Sequence, residues 1–203
     1  TNATESGTQQ FSATLTEDDA APTITISVNN TSISNTGGSA IITATRSFSW
    51  AGTTTVWLSY TGTASGAGSD YNTDFSIAIT SGNTTGTATI TAVSDVLDEA
   101  DETVIVDVGS VTNGTESGTQ QVTVTILDDD PTPTITFSPT SSGQAESASP
   151  AWNAVVATLS AATSRDVVIN YSITTTATHT TDWMNKANFD AYFSPFPALV
   201  SGS

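Results

Sequence analysis

The sequence predicts an all-β chain built from immunoglobulin-like antiparallel β-sandwiches. Apolar residues alternate with Thr and Ser over short runs, and clusters of Gly, Ser, Asn and Asp separate these runs. No segment shows the 3.6-residue period of an amphipathic helix. Seven such strands within roughly 110 residues are typical of one sandwich of immunoglobulin size.

The predicted strands follow one another between residues 22 and 127. In each strand Thr and Ser are expected to face solvent, while Ile, Val, Leu and Trp57 are expected to face inward. Each strand is therefore half-buried, as one face of a two-layer sandwich requires. In chain order the strands are PTITISV, SAIITATR, TTTVWLSY, TDFSIAIT, TGTATITAV, ETVIVDV and TQQVTVTIL.

An internal repeat sets the domain organisation. Residues 1–27 align without a gap onto residues 112–138, and more than half of the aligned positions are identical. Because Thr1 aligns with Thr112, the tandem repeat is about 111 residues long, the size of a whole domain. We expect the last strand of an upstream repeat at residues 1–20, a complete domain at 21–130 and a partial second domain at 131–203.

The charge balance excludes several classes of partner. Lys and Arg number 3 against 20 Asp and Glu, so the formal net charge is −17. A surface this anionic repels nucleic acid backbones and anionic lipid, which leaves multivalent cations as the natural partners. The chain has no cysteine, and no apolar run reaches the roughly 18 residues of a membrane span.

The same composition argues against an enzyme. The chain has a single histidine, His179, within a Thr-rich stretch, and a single lysine, Lys186. Almost nothing is available to activate the many Ser and Thr hydroxyls as nucleophiles. We therefore predict a non-catalytic protein.

Acidic residues concentrate at one predicted end of the complete domain. If successive strands alternate in direction, the connections after the first, third and fifth strands meet the end of the seventh strand there. Crowded carboxylates repel one another unless a cation joins them, and Ca²⁺ accepts about 6 to 8 oxygen ligands. The carboxylates expected at this end are Asp70, Asp95, Asp98, Glu99, Asp101, Glu102, Asp128, Asp129 and Asp130.

The segments SDVLDEADETVIVDV, GSDY and TVTILDDD together resemble the Calx-beta domain. The likeness covers most of residues 21–130 and, more loosely, residues 132–203. It implies a β-sandwich that binds Ca²⁺ through the loop between the fifth and sixth strands and through the end of the seventh. The ligands implied by the resemblance are Asp70, Asp95, Asp98 or Glu99, Glu102, Asp128, Asp129 and Asp130.

Two positions depart from the family pattern. The family often has an acidic residue where this chain has Ser94, and a Glu where it has Asn35. Both changes remove a negative charge from the expected site. We therefore expect fewer ions, or weaker binding, in the complete domain.

Acidic residues outside the complete domain extend the prediction. In the second unit Glu146 is expected to take the role of the Glu that the family has after the first strand, and Asp182 the role of Asp70. A further hypothesis is that TQQFSATLTEDD donates its strand to another copy of the chain. Glu17, Asp18 and Asp19 would then complete a calcium site in trans.

These features predict a calcium-binding spacer of a secreted or cell-surface protein. Asp130 leads into Pro131-Thr132-Pro133, so an ion there would stiffen the joint between units of an extended rod or filament that acts in adhesion. The expected partners are neighbouring repeats or other copies of the chain. The alternative is a glycan- or protein-binding module that uses the aromatic segment 183–200, which contains Trp183, Phe189, Tyr192, Phe193 and Phe196.

Overall fold

The structure is a computed structural model that describes residues 2–138, apart from positions 5, 17 and 67, and residues 156–170. Within these ranges, no helix has the length and hydropathy needed to cross a lipid bilayer. The strands are β1 (Thr23–Val28), β2 (Ser32–Ser34), β3 (Ser39–Arg46), β4 (Thr54–Gly62), β5 (Tyr71–Thr73), β6 (Ser76–Ile79), β7 (Thr85–Ala92), β8 (Glu102–Thr112), β9 (Thr115–Glu116), β10 (Gln121–Leu127), β11 (Ile135–Ser138) and β12 (Val156–Leu159).

The first ten strands form two five-stranded sheets. One sheet has the order β5-β7-β3-β1-β9 and the other the order β2-β10-β8-β4-β6. The pairs β1–β9 and β2–β10 are parallel, and the remaining pairs of these two sheets are antiparallel. The prediction of an all-β sandwich is confirmed.

The core lies between the two sheets and follows from the alternation of the sequence. Ile24, Ile42 and Ile90 come from one sheet and Val56 and Val104 from the other, and all five are fully buried. Burying such a side chain stabilises the fold by about 1.5–3 kcal/mol relative to leaving it exposed. Thr and Ser fill the intervening outward positions, so only a thin apolar layer holds the sandwich together.

Two details differ from the sequence prediction. The inward placement of Trp57 is wrong, because its side chain is 49% exposed while its neighbours Val56 and Leu58 are buried. A period of two cannot bury three consecutive residues of β4, and the smaller aliphatic pair takes the core positions. The short strands β2, β5 and β9 were not predicted, since two or three residues carry no periodic signal.

The described part of the second unit repeats the pairing of two strands of the first unit. In β1 and β3, Ile24 lies opposite Arg46, and in β11 and β12, Ile135 lies opposite Leu159. The hydrogen bonds after each second strand also match. The Ser47 amide donates to the Thr23 carbonyl oxygen at 2.9 Å, and the Ser160 amide donates to the Thr134 carbonyl oxygen at 2.9 Å.

The segment before β1 contains no regular strand among its described residues. Phe11 and Leu15, which the repeat aligns with Val122 and Ile126 of β10, are 90% and 97% exposed. A strand needs neighbouring strands on which to bury its apolar face. The assignment of residues 1–20 to an upstream repeat stays a prediction.

Candidate metal centre

Backbone contacts hold the acidic loops together at one end of the sandwich. The loop between β4 and β5 ends at Asp70, whose carbonyl oxygen accepts a hydrogen bond from the Val93 amide at 2.9 Å. The next residue, Tyr71, is buried in the core and pairs with Ala92 of β7. Because its neighbour is anchored in this way, the Asp70 carboxylate occupies a defined place beside the loop that follows β7.

The loop between β7 and β8 supplies the facing carboxylates. Carboxylate oxygens of Asp70, Glu99 and Glu102 all lie within 4.8 Å of one another, and all three residues are half-buried. We call these three residues the acidic cluster. Together with Asn35, Asp95 and Asp128 they line a pocket whose floor includes Ile126 of β10.

The electrostatics of the acidic cluster favour an added positive charge. Burial raises the pKa of Glu102 to about 7, helped by a hydrogen bond with Asp70 and by the charges of Asp70, Glu99 and Asp95. Burial and the charges of Asp70 and Asp95 also raise the pKa of Glu99, against a hydrogen bond with Ser164 that lowers it. Without a cation, the cluster therefore retains a proton that an exposed carboxylate would lose.

The end of β10 adds oxygen atoms to the same pocket. The Asn35 amide nitrogen donates to Asp128 Oδ1 at 3.4 Å, and the backbone amide of Asn35 donates to the Leu127 carbonyl oxygen at 3.0 Å. Asn35 Oδ1 and Asp130 Oδ2 are buried and have no hydrogen-bond partner in the described part of the protein. Unpartnered buried acceptors next to carboxylates are what a bound cation would satisfy.

The other predicted ligands differ in their surroundings. Asp95 lines the pocket and accepts a hydrogen bond from the Leu97 amide at 2.9 Å. Asp129 is exposed, whereas Asp130 is partly buried, and desolvation and the charge of Asp128 raise its pKa. Asp98 is not part of the cluster: its side chain is buried against residues of the second unit.

The remaining predicted ligands lie in the segment before β1 or outside the described residues. Asp18 and Asp19 are exposed in the segment that precedes β1. Glu17, Glu146 and Asp182 lie outside the described residues, as does the aromatic segment 183–200.

The structure also identifies two residues that the predicted ligand set lacked. Asn35 appeared in the sequence as a lost charge, yet it lines the pocket, and its side-chain oxygen is buried without a partner among the described residues. Asp101 accepts a hydrogen bond from the Asp128 amide at 3.1 Å and so ties the β7–β8 loop to the end of β10. Asp101 stood out only as one acidic residue among several, and nothing in the sequence distinguishes a supporting carboxylate from a ligand.

The family follows from a comparison with known sequences. The family model described as the Calx-beta domain matches residues 17–130, which is more than half of the chain. The protein belongs to the Calx-beta family. The matched residues contain both large sheets and the whole acidic cluster, so we refer to them as the Calx-beta unit.

Solved structures provide two distant neighbours. A crystal structure of CBD12 from CALX1.2 is 21% identical, with a TM-score of 0.46, and the match covers 53% of this chain and 44% of that chain. The apo-form Calx CBD1 domain is 22% identical, with a TM-score of 0.45 and coverage of 53% and 99%. The match therefore spans less than half of the first neighbour. A search of curated proteins gives no match.

Proposed function

We propose that the Calx-beta unit binds Ca²⁺ at the acidic cluster. The observation that carries the proposal is the convergence of Asp70, Glu99 and Glu102 within 4.8 Å. Ca²⁺ takes about 6 to 8 oxygen ligands and accepts irregular geometry, which suits carboxylates from two loops and the amide oxygen of Asn35. Mg²⁺ fits less well because it requires a regular octahedron and keeps its own water molecules.

The unpartnered oxygens support the same proposal. A buried acceptor without a donor costs free energy, and Asn35 Oδ1 and Asp130 Oδ2 are both in this condition. A cation between the β7–β8 loop and the end of β10 would satisfy them. Bound Ca²⁺ would supply a positive charge that favours the ionised forms of Glu99 and Glu102, whose pKa values are raised.

A role in a rod or filament follows from the place of the cluster. The end of β10 runs through Asp130 into Pro131-Thr132-Pro133 and then into the second unit. An ion at this end would restrict the joint between units. We therefore propose that the protein is a calcium-stiffened structural or adhesive repeat of a secreted or cell-surface protein, with neighbouring repeats or other copies as its partners.

Calcium titration of the whole chain by calorimetry tests this proposal. Glu102→Gln keeps the shape of the side chain and removes the charge, so we expect Ca²⁺ affinity to fall by about tenfold or more. Asp107→Asn is the matched control, because Asp107 lies outward on β8 and hydrogen-bonds to Gln121. Equal affinity in the two variants, or no binding in the unmodified protein, would rule out the acidic cluster as the site.

The glycan- or protein-binding alternative rests on the composition of residues 183–200. It predicts binding to a glycan or cell-surface protein that persists in chelator. Loss of such binding on replacing Trp183 and Phe189 by Ser would favour this alternative over the spacer.

A further inference from the structure

Asp98 separates from the acidic cluster although it is the immediate neighbour of Glu99. Asp98 is only 2% exposed, whereas Glu99 lines the pocket. A carboxylate is almost never buried to this degree unless it is paired, so its partners indicate its role. Those partners come from the second unit and from the linker.

The first set of partners belongs to the turn after β12, residues 160–165, which we call the joint turn. Thr163 Oγ1 lies 2.6 Å from Asp98 Oδ2 and 3.0 Å from the Asp98 carbonyl oxygen, and its single hydroxyl hydrogen is shared between these two acceptors. The Ser164 amide donates to the same carbonyl oxygen at 3.0 Å, and the Asp98 amide donates to the Ala162 carbonyl oxygen at 3.4 Å. The two chain segments thus form a short parallel β-bridge between Asp98 and Thr163.

A cation and the linker complete the contact. Arg165 Nε lies 3.7 Å from Asp98 Oδ1, and the Arg165 guanidinium also donates to the Glu99 carbonyl oxygen. Thr132, between the two linker prolines, donates its hydroxyl to Asp98 Oδ1 at 3.4 Å. Both carboxylate oxygens therefore have protein partners, and the positive charge comes from the chain itself.

We propose that Asp98 is an interdomain anchor that fastens the second unit to the Calx-beta unit through Thr163 and Arg165, with no metal ion at the contact. The anchor is independent of the calcium proposal, since its partners are side chains and backbone groups of the chain. The acidic cluster and the anchor lie on neighbouring residues and act on the same joint. Glu99 belongs to the acidic cluster, and Asp98 forms the anchor.

The joint turn differs in charge from its counterpart in the first unit. The corresponding turn of the first unit, residues 47–53, contains no charged residue and carries Phe48 and Trp50, whose rings lie 6.1 Å apart. Such a turn offers no cation to a buried carboxylate. A unit with that turn at this joint would leave the Asp98 carboxylate without the cation that Arg165 provides.

Hydrogen exchange of the complete 203-residue chain in chelator tests the anchor. In the unmodified protein we expect the amides of Asp98 and Ser164 to be protected without Ca²⁺. Thr163→Val removes the hydroxyl at nearly constant volume. Loss of its bonds to the carboxylate should speed exchange at these two amides by about tenfold or more.

Two controls keep the test decisive. Thr163→Ser retains the hydroxyl and should preserve protection, while amides of β3 and β8 should stay protected in every variant if the Calx-beta unit remains folded. Ca²⁺ affinity should change less than about twofold in Thr163→Val, because the variant leaves the acidic cluster intact. Unprotected amides in chelator, unchanged exchange in Thr163→Val, or loss of Ca²⁺ binding in that variant would each overturn the anchor.

Discussion

The two ends of the sandwich handle buried charge in opposite ways. At one end Arg46 is 2% exposed, and its guanidinium donates to neutral oxygens of the chain. These acceptors are the carbonyl oxygens of Gly52 and Thr80 at 3.0 Å, that of Asn83 at 3.1 Å, and Thr54 Oγ1 at 3.1 Å. At the other end the carboxylates of the acidic cluster face one another, and burial together with the charges of Asp70 and Asp95 raises the pKa values of Glu99 and Glu102.

The comparison shows which end satisfies its buried polar groups with groups of the protein itself. Two neighbouring loops, β3–β4 with Gly52 and β6–β7 with Thr80 and Asn83, supply backbone oxygens that disperse the charge of Arg46, so folding alone satisfies that end. The acidic cluster has fewer donors among the described residues: the Ser65 amide donates to Asp70 Oδ2 at 2.5 Å and Ser164 hydrogen-bonds to Glu99, while Asn35 Oδ1 stays unpartnered. We infer that the Arg46 end is structural, whereas the acidic end requires a partner from solution.

Arg46→Met should give the largest effect. The substitution fills much of the volume but removes the donor from the part-buried hydrogen bonds to the carbonyl oxygens of Gly52, Thr80 and Asn83. We expect a loss of about 3 kcal/mol or more in the free energy of unfolding, measured by urea denaturation. The loss should be the same in chelator and in Ca²⁺, because Arg46 lies at the opposite end from the acidic cluster. A loss of stability that appears only in chelator would contradict the claim that the Arg46 end is independent of Ca²⁺.

The pH dependence of the ion-free protein should give a smaller effect of definite sign. The pKa of Glu102 rises from its ordinary value of 4.5 to about 7 on folding, chiefly through burial. The folded chain therefore binds more protons than the unfolded chain between these values, so stability in metal-free buffer should fall as pH rises through this window. Urea midpoints between pH 5 and pH 8 measure this fall.

Glu102→Gln provides the control for the pH dependence. It carries no ionisable group at this position, so the fall in stability should become shallower. A rise in stability with pH in the metal-free unmodified protein would contradict the assigned electrostatics. Saturating Ca²⁺ should also flatten the curve, because the ion favours the ionised carboxylate.

Asn35→Asp should give the smallest effect and sharpen the comparison further. It adds a charge where the side-chain oxygen already lies at the pocket, so Ca²⁺ affinity should rise by a few fold, up to about tenfold. In chelator the same variant should be less stable than the unmodified protein, because it adds repulsion to the cluster. Asn30 precedes β2 whereas Asn35 follows it. Asn30→Asp is therefore the control and should leave the Ca²⁺ affinity unchanged.

The sequence was a better guide to the elements than to the side-chain partners. Alternation predicted the seven main strands, because a period of two fixes which face is buried, and the convergence of the acidic loops followed from the assumption that successive strands alternate in direction. It misplaced Trp57, since alternation does not say which of three consecutive apolar residues turns outward. It left Asp98 and Glu99 as alternatives, because the choice depends on Thr163 and Arg165, more than sixty residues away.

Thermal unfolding of the chain in excess chelator and in millimolar Ca²⁺ tests the central claim most directly. A ligand that binds only the folded state stabilises it by mass action, so the Calx-beta unit should melt at a clearly higher temperature in Ca²⁺. Mg²⁺ at the same concentration should give a smaller shift. Identical melting temperatures in chelator and in Ca²⁺ would contradict the claim that the acidic end is completed by a cation.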